Sequence, residues 1–395
     1  MIWSRQQEQA LDAVGKWCHN KSKPWFYLAG YAGTGKSTLA RHFAEGVGVV
    51  EFACFTGKAA HVMARKGCVG ARTIHSLIYH PKEKSQERLR ELQRDLAEEA
   101  DAEVRQEIER ELAAENKNLR RPSFSLNLDS DLAKADLLIV DECSMVGEEM
   151  ASDLLSFGTP ILVLGDPAQL EPVFGTGFFT GERPDFLLTE IHRQARGNPI
   201  IDMATRIREG RELPLGNYGG SRVIPVAQFD RDAVDPYDTQ VIVGKNKTRR
   251  RANLRIRKNF LSDSDLLVSF NEKIICLRND KAGVLNGSMW NVLDRGEIVE
   301  DLVSLLIADE FHEGELEVEA HTHHFDGRPD DLDHFRRLDA QEFDYGYAVT
   351  CHKSQGSQWD DVIVIDEAWG NPVSRRRWRY TAVTRAAGTV TLVRL

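Results

Sequence analysis

One segment, Gly30-Tyr-Ala-Gly-Thr-Gly-Lys-Ser-Thr38, constrains the architecture of this 395-residue chain more than any other. It follows the apolar run Trp25-Phe-Tyr-Leu-Ala29 and precedes Leu39-Ala-Arg-His-Phe-Ala44, which has the composition of a helix. The order of strand, glycine-rich loop and helix is typical of a P-loop, in which backbone N–H groups and a helix N-terminus face an anion. At this spacing Lys36 supplies charge to a phosphate, and Ser37 supplies a hydroxyl to magnesium.

Later apolar runs end in polar residues that suit the same site. The run from Leu132 to Val140 ends in Asp141 and Glu142, and Gln169 follows the next apolar run. Ligands of open α/β sheets gather at the C-terminal ends of the strands. Two adjacent carboxylates there suit a magnesium ligand and a base that positions water. We therefore expect the P-loop strand and the Asp141 strand to lie side by side, which would bring Asp141 near Ser37.

Length and composition indicate an intracellular globular enzyme. A chain of 395 residues predicts two core domains with room for insertions. The hydrophobic content of 42% and charged content of 28% are ordinary for that class. No apolar run is long enough to cross a bilayer, and the first residues lack the layout of a signal peptide. The six cysteines are scattered without a C-x-x-C pair, which argues against a disulfide framework or a cysteine zinc site.

The formal net charge of −10 argues weakly against a nucleic-acid partner, but binding needs only a local basic patch. Two such patches are candidates, and a solvated basic face is the alternative for each. They are Lys245–Arg251 with Arg255, Arg257 and Lys258, and Arg375–Arg379.

A charged arm lies between Pro81 and Pro122. This stretch has no glycine or interior proline, and its apolar residues recur every three or four positions. That spacing predicts helix, either one long helix or a hairpin that turns near Glu98 to Asp101. The narrow apolar stripe predicts an arm that packs on one side and is solvated on the other, without chemistry of its own.

The order of these motifs resembles the superfamily 1 helicases, specifically the RecD-like and Dda-like branch called superfamily 1B. The resemblance continues through Leu188–Ala195, Asn286-Gly287, Tyr347–Gly356 and Tyr380–Ala386. It implies an α/β fold of two RecA-like parallel-sheet lobes that hydrolyse ATP between them and move 5′ to 3′ on single-stranded DNA. It also implies a helical insertion in the first lobe and a small SH3-like β-barrel in the second.

The resemblance divides the chain into four parts. Lobe 1A takes residues 1–78 and 131–185, and the helical arm 1B takes 79–130. Lobe 2A takes residues 186–268 and 341–395, and the barrel insertion 2B takes 269–340.

Carried over position by position, the resemblance assigns the nucleotide site. Gln7 resembles the glutamine that reads adenine, and the phosphate and magnesium contacts come from Gly30, Gly33, Thr34, Gly35, Lys36, Ser37 and Thr38. Asp141 resembles the magnesium carboxylate, Glu142 the base and Gln169 the sensor of the γ-phosphate. Arg193 and Arg385 resemble the arginines that stabilise charge on the transferring phosphoryl group. ATP and Mg²⁺ are the implied cofactors.

The DNA contacts carried over are hydroxyls, amides and basic groups that bind a backbone without reading sequence. They are Thr56, Lys58, Thr73 and His75 in the first lobe, and Thr350, His352, Ser354 and Gln355 in the second. The implied partners are single-stranded DNA and forked duplex DNA. Single-stranded DNA-binding or replisome proteins are further candidates. We expect a monomer with no membrane association.

Three positions depart from the family pattern. Gln358 stands where glutamate is common, so it would bond a ribose without charge. Trp290 stands where glycine is common, as a base-stacking residue or a buried barrel tryptophan. The first-lobe insertion commonly carries a β-hairpin that splits the duplex, whereas this chain has the charged arm, which leaves the splitting element open.

Two alternatives remain at this point. One is an RNA-directed or non-unwinding translocase, and the other is a nucleotide-gated scaffold that holds ATP without motor activity. The segment His321-Thr-His323-His324 lacks metal-ligand spacing, and we interpret it as a hydrated loop.

Overall fold

The computed structural model describes residues 3–81, 87–98, 104–112, 124–171, 177–190, 197–261, 267–279, 284–309, 314–332 and 336–395. Their helices are α1 (Arg5–Asn20), α2 (Lys36–Ala44), α3 (Gly57–Arg65), α4 (Ile74–Ile78), α5 (Glu87–Glu98), α6 (104–112), α7 (Glu148–Ser156), α8 (Pro199–Arg208), α9 (Asn246–Phe260), α10 (His323–Asp326) and α11 (Pro372–Val383). None of these helices is long and apolar enough to span a membrane.

The strands are β1 (Trp25–Gly30), β2 (Val50–Cys54), β3 (Arg72–Thr73), β4 (Tyr79–Pro81), β5 (Phe124–Leu126), β6 (Leu137–Asp141), β7 (Ile161–Gly165), β8 (Phe186–Leu188), β9 (Gly216–Tyr218), β10 (Ser221–Pro225), β11 (Thr239–Val243), β12 (Lys273–Cys276), β13 (Met289–Val299), β14 (Leu302–Asp309), β15 (Glu315–His321), β16 (Gln341–Tyr345), β17 (Ala348–Thr350), β18 (Trp359–Asp366) and β19 (Ala386–Arg394). Short 3-10 turns lie at Asp131–Lys134, Cys143–Met145, Val226–Gln228, Pro329–Asp331 and Arg336–Leu338.

The first sheet is parallel throughout, in the order β3-β2-β6-β7-β1-β8. Strands β1 and β7 are buried along their whole length, as expected for a parallel sheet covered on both faces. Two separate apolar clusters cover those faces. We call this sheet with α1–α4 and α7 lobe 1.

Two expectations about this sheet are wrong. Strand β7 lies between β1 and β6, so the P-loop strand and the Asp141 strand are not neighbours. Strand β8 pairs with β1, so the first sheet continues beyond the expected boundary at residue 185. Neither strand order nor an edge pairing is encoded in a local pattern, because each depends on which distant segments meet.

The second sheet has the order β17-β11-β18-β19-β10-β9, parallel except for the antiparallel edge strand β9. Helices α8 and α11 pack together on one face, over a cluster that includes Trp378 and Tyr380. Helix α9 lies against β11 and β17 on the other face. We call this sheet with its three helices lobe 2. The two parallel sheets with helices on their faces confirm the expected α/β fold with RecA-type parallel sheets.

Strands β12–β16 form a closed five-stranded barrel whose interior continues the apolar cluster under α9. The expected boundary at residue 340 is five residues too early, because β16 (Gln341–Tyr345) pairs with both β12 and β15 and closes the barrel. Trp290 lies in β13, where it packs against the barrel cluster and donates its indole N–H to Ser288 Oγ at 2.7 Å. It is therefore a barrel tryptophan.

A buried ion pair joins the barrel to lobe 2. Arg257 of α9 donates from Nε to both carboxylate oxygens of Glu272, at 2.9 and 2.8 Å. Tyr347 Oη donates to the same carboxylate at 2.8 Å. Glu272 immediately precedes the first barrel strand and Tyr347 follows the last, so both connections are fixed to one carboxylate.

The charged arm contains two helices, α5 and α6, as the apolar spacing predicts. Residues 99–103, where a hairpin turn was expected, lie outside the described residues. No sequence pattern indicated the antiparallel pair β4 and β5, which joins both ends of the arm to lobe 1 with Pro81 opposite Phe124.

Candidate nucleotide site and nucleic-acid interface

The P-loop has the conformation that its glycines predict. A Cβ on Gly30 would lie 2.6 Å from Thr34 Oγ1 and 3.0 Å from Leu188 Cβ, so only glycine fits there. Gly35 caps α2 in the left-handed region with φ of 82°, where side chains are strained. Helix α2 then begins at Lys36, and its unpaired N–H groups face the end of the loop.

Lys36 is held against its own loop. Its Nζ donates to the carbonyls of Gly30 at 2.6 Å and Tyr31 at 3.3 Å. These bonds place the ammonium group inside the curl of the loop, where a P-loop lysine reaches the terminal phosphates of a nucleotide.

Ser37 and Asp141 meet as predicted. Ser37 Oγ donates to Asp141 Oδ2 at 2.8 Å although β7 separates their strands. A hydroxyl and a carboxylate beside a P-loop form the kind of oxygen donor set that magnesium prefers, so these residues fit the ion. Thr38 is half-buried, and Ser37 is the hydroxyl that reaches the carboxylate.

Glu142 follows Asp141 in the left-handed region, with φ of 55°. Loss of water around its carboxyl raises its pKa above the ordinary value. The charge of Arg385 opposes this shift, nearby Asp141 reinforces it, and Lys36 also opposes it. A carboxylate with a raised pKa next to the phosphate loop suits a general base.

Arg385 lies at the cleft between the lobes. It is 6% exposed and donates to the carbonyls of Thr381 and Ser357 and to Thr384 Oγ1. Its positive charge opposes the rise in the pKa of Glu142, so the guanidinium group lies within electrostatic range of that carboxyl. The second arginine, Arg193, lies outside the described residues.

A tyrosine that the sequence analysis did not single out joins the two lobes. Tyr380 Oη, on α11, donates to Asp166 Oδ2 at 2.6 Å and accepts from the N–H of Ala32 at 3.0 Å. Asp166 is 2% exposed, and burial raises its pKa. Asp166 could have been predicted as a site residue from the sequence, because it follows an apolar strand that ends at the same sheet edge as the strand of Asp141. No sequence pattern near Asp166 or Tyr380 indicates that these two residues form a hydrogen bond.

Gln7 lies at the other end of the P-loop. Its Nε2 donates to the Thr34 carbonyl at 3.2 Å, and its Oε1 accepts from Ser4 N–H at 3.0 Å in a capping box. The primary amide keeps a second donor for an adenine, although the side chain is 4% exposed. Gln358, the predicted ribose contact, is exposed just before β18.

Two glutamines lie where the lobes meet. Gln169 is buried, and its Oε1 has no hydrogen-bond partner among the described residues. Gln355 of lobe 2 donates to the carbonyl of Leu170 in lobe 1 at 3.0 Å. Thr381 Oγ1 accepts from the Leu170 N–H at 2.9 Å. Leu170, which follows the predicted sensor Gln169, is thus bonded to lobe 2 through both its N–H and its carbonyl.

The first-lobe DNA candidates follow β2 and β3, as expected, but differ in access. Thr56 and Thr73 cap α3 and α4 with their side chains, and Thr73 is buried. Lys58 is 5% exposed, with Nζ 4.7 Å from the Trp359 ring of lobe 2. His75 is half-buried in an aromatic cluster with Phe55, Tyr79 and Phe124, and burial lowers its pKa.

The DNA-contact candidates of the second lobe also differ in their access to solvent. Thr350 and His352 are half-buried, and burial lowers the pKa of His352. Ser354 and Gln355 are buried, and Ser354 Oγ donates to the Cys351 carbonyl at 2.8 Å. In this arrangement of the lobes, the accessible members of the predicted DNA set are Thr56, His75, Thr350 and His352.

The two basic patches are partly neutralised inside the protein. In the first, Arg249 pairs with Asp344, Arg255 with Asp232 and Arg257 with Glu272. In the second, Arg379 pairs with Asp366 and Arg377 with Glu171. Among the described residues, no group of three or more His, Cys, Asp or Glu side chains is placed to hold a metal ion.

Comparison with known proteins identifies the family. A family described as an AAA domain matches residues 3–224, and a UvrD-like helicase C-terminal domain matches residues 345–393. The chain is 26% identical over 391 residues to the ATP-dependent RecD2 DNA helicase of Deinococcus radiodurans. It is 27% identical over 293 residues to the ATP-dependent DNA helicase dda of phage T4.

The chain belongs to the superfamily 1B helicases. The match covers 91% of this superfamily 1B chain and 45% of RecD2, and 66% of the chain and 58% of the phage helicase. The chain therefore spans about half the length of the curated relatives that it matches.

Solved structures share the fold. A Pif1 helicase structure described as DNA unwinding at forked duplex DNA by two coordinating helicases has a TM-score of 0.56 and 18% identity, covering 99% of this chain and 92% of that one. Bacteroides Pif1 in complex with ADP-AlF3 and single-stranded DNA has a TM-score of 0.55 and 16% identity over the same shares. At these identities the likeness shows the fold.

Proposed function

We propose that this chain is an ATP-driven motor that moves 5′ to 3′ on single-stranded DNA and unwinds duplex DNA. The observation that carries the proposal is the bond of 2.8 Å between Ser37 and Asp141, in a cleft where the charge of Arg385 from the other lobe opposes the rise in the pKa of Glu142. A scaffold that only holds ATP needs neither a base of raised pKa nor an arginine from the second lobe.

In the proposed reaction, Lys36 and the N–H groups of the P-loop bind the phosphates. Magnesium held by Ser37 and Asp141 would supply positive charge to the phosphate oxygens. Glu142 takes a proton from the attacking water, which requires its carboxylate form. Arg385 donates to the γ-phosphoryl oxygens as charge accumulates there, and arginines in this role contribute on the order of 10³ to 10⁵ in rate.

Contacts between the lobes offer a route from ATP to DNA. Gln169 has a free buried acceptor, and its neighbour Leu170 is bonded to Thr381 and Gln355 of lobe 2. We propose that hydrolysis changes these contacts and shifts the two DNA-binding edges relative to each other. Thr56 and His75 would bind the backbone from one lobe, and Thr350 and His352 from the other. Lys58 and Gln355, which contact the opposite lobe, would join them only after the lobes separate, whereas Thr73 and Ser354 bond within their own lobes.

The first test is ATPase activity with and without single-stranded DNA. We expect strong stimulation by DNA in the wild type and near-complete loss of turnover in Lys36→Ala and Arg385→Ala. The control is Arg222→Ala, an exposed arginine of β10. Turnover without any response to DNA would favour the scaffold, and stimulation by RNA alone would favour an RNA-directed translocase.

The second test is polarity, using forked duplexes with only a 5′ or only a 3′ single-stranded tail. We expect strand separation from the 5′ tail and none with Lys36→Ala. Separation from the 3′ tail alone would overturn the direction. Translocation without strand separation on either fork would favour the alternative of a non-unwinding translocase.

A further inference from the structure

A pocket of about 250 Å³ lies between the P-loop and the helices of lobe 2. Tyr31 of the P-loop and the loop after β7 form one wall. Arg208 of α8 and Arg376, Arg377 and Tyr380 of α11 form the other. None of the residues assigned above to ATP or DNA lines this pocket, so the proposed reaction leaves it without a role.

The pocket carries an excess of positive charge. Arg377 pairs with Glu171, and Arg208 lies 3.6 Å from a carboxylate oxygen of Glu209. Arg376 is exposed and has no carboxylate partner among the described residues. Guanidinium groups bind phosphate oxygens in planar, two-pronged geometry. A small oxyanion is therefore the ligand that suits this lining.

The pocket adjoins the phosphate end of the nucleotide site. The Tyr31 carbonyl accepts from Lys36 Nζ, the group that reaches the terminal phosphates in a P-loop, and Tyr31 also lines the pocket. Tyr380 lines the pocket as well, and its hydroxyl bonds Asp166 and the Ala32 N–H of the P-loop. Gln7 binds at Thr34, at the opposite end of the loop, so the base end of the nucleotide lies away from the pocket.

A second nucleotide suits the pocket less well than a bare anion. The guanidinium carbon of Arg208 lies 3.7 Å from the centre of the Tyr31 ring, so that face of the ring is already covered. The Tyr380 hydroxyl is engaged on both sides by hydrogen bonds. The lining therefore offers charge for an anion, and Arg208 occupies one of the two faces of Tyr31 on which a base could stack.

We propose that this pocket receives the orthophosphate released by ATP hydrolysis, and that Arg376 is its principal ligand. The proposal rests on the proposed function for the source of the phosphate. The phosphate leaves as a free ion after the bond to the β–γ bridging oxygen has broken, so no covalent step occurs in the pocket. Movement of Tyr380 away from Asp166 opens the passage.

Equilibrium binding tests the pocket without relying on turnover. The full chain is saturated with Mg²⁺ and the β,γ-imido analogue of ATP, which fills the P-loop, and radiolabelled inorganic phosphate is added in equilibrium dialysis. We expect one further phosphate to bind to the wild type and about tenfold weaker binding to Arg376→Ala. Arg375→Ala is the matched control, because Arg375 is exposed on the same helix and bonds the Gly370 carbonyl outside the pocket.

Phosphate binding that is absent from the wild type, or equal in Arg376→Ala, would overturn the proposal even if the chain hydrolyses ATP. A second measurement tests the path. Acid-quench kinetics report γ-phosphate cleavage, and a fluorescent phosphate sensor reports release. We expect Arg376→Ala to leave cleavage unchanged and slow release several-fold, with Arg375→Ala like the wild type. Unchanged release in Arg376→Ala would show that phosphate leaves by another route.

Discussion

The hydroxyl of Tyr380 and the carboxylate of Asp166 form a hydrogen bond of 2.6 Å across the cleft between the lobes. Because the same hydroxyl accepts from Ala32 in the P-loop, one side chain joins α11 to both the P-loop and the segment after β7 in lobe 1. Arg385 follows Tyr380 by five residues, just beyond the end of the same helix. The position of the arginine is therefore tied to the P-loop through Tyr380.

Tyr380→Phe should reduce both stability and turnover. Loss of the hydroxyl leaves Asp166 Oδ2 and the Ala32 N–H without their hydrogen-bond partner, at a cost of about 1–3 kcal/mol in the free energy of unfolding, while Asp166 Oδ1 keeps its bond from the Ala168 N–H. Misplacement of Arg385 should lower DNA-stimulated turnover roughly tenfold or more. Urea denaturation and steady-state ATPase assays measure the two effects. Tyr218→Phe, which loses a bond to the Pro214 carbonyl at the surface, is the control and should match the wild type.

Glu142 should set the acid limb of the ATPase pH profile. Its pKa is raised by loss of water around the carboxyl, so activity should fall as pH drops through a value above 4.5. Glu142→Gln should reduce turnover by about 10² to 10⁴ and leave nucleotide binding intact. Initial rates across pH and titration with a fluorescent ADP measure these effects. An acid limb at or below the ordinary glutamate pKa would contradict the prediction.

The same shift predicts the opposite effect on stability. A carboxyl whose folded-state pKa lies above its unfolded value contributes stability at low pH and loses it as pH rises through the folded pKa. Glu142→Gln should therefore raise the free energy of unfolding at neutral pH, and the gain should vanish below the ordinary carboxyl pKa. Glu149→Gln, on the exposed first turn of α7, provides the control in parallel urea titrations. A loss of stability at neutral pH would show that the Glu142 carboxylate is net stabilising.

Two arginines of α9 should differ sharply in their effect on stability. Arg257 is 5% exposed and paired with the fully buried Glu272, so Arg257→Met strands a buried carboxylate and should cost about 3–5 kcal/mol. Arg255 pairs with Asp232 at the surface, where water screens the charges, so Arg255→Met should leave the free energy of unfolding close to that of the wild type. Urea denaturation of the pair measures the difference, and equal costs would argue against the buried geometry.

The charged arm should be removable. Pro81 and Phe124 are opposite each other in the antiparallel pair β4 and β5, so an Asn-Gly turn can replace residues 82–123. The described arm residues belong to none of the four apolar core clusters, so we expect ATPase activity stimulated by single-stranded DNA to be retained. Fork unwinding is measured alongside it. Retained ATPase with lost unwinding would identify the arm as the element that splits the duplex, whereas lost ATPase would contradict the prediction.

The sequence predicted features that depend on local pattern. Gly30 to Thr38 specify a loop that any P-loop strand and helix would share, and Asp141 ends an apolar run at the sheet edge where ligands gather. The pair Ser37 and Asp141 followed from these two facts, even though the assumed strand order was wrong. The boundaries of lobe 1 and the barrel were misplaced by three to five residues, because β8 and β16 are assigned only by their pairing partners.

Contacts between the lobes could not be predicted in the same way. Ala32 and Tyr380 are 348 positions apart, and nothing near either residue indicates the other. Lys58 carries the same charge whether it faces a phosphate or the Trp359 ring, and only the closed arrangement of the lobes decides between them. Such contacts depend on how two folded units approach each other.

The carboxylate of Glu272 has a mechanical consequence. Because Arg257 and Tyr347 fix the barrel at its entry and its exit, the barrel cannot pivot about a single flexible connection. In the proposed motor, a rotation of the second sheet at the nucleotide cleft would therefore carry the barrel with it. A small rotation near Arg385 would then produce a larger displacement at the parts of β13 and β14 farthest from the cleft.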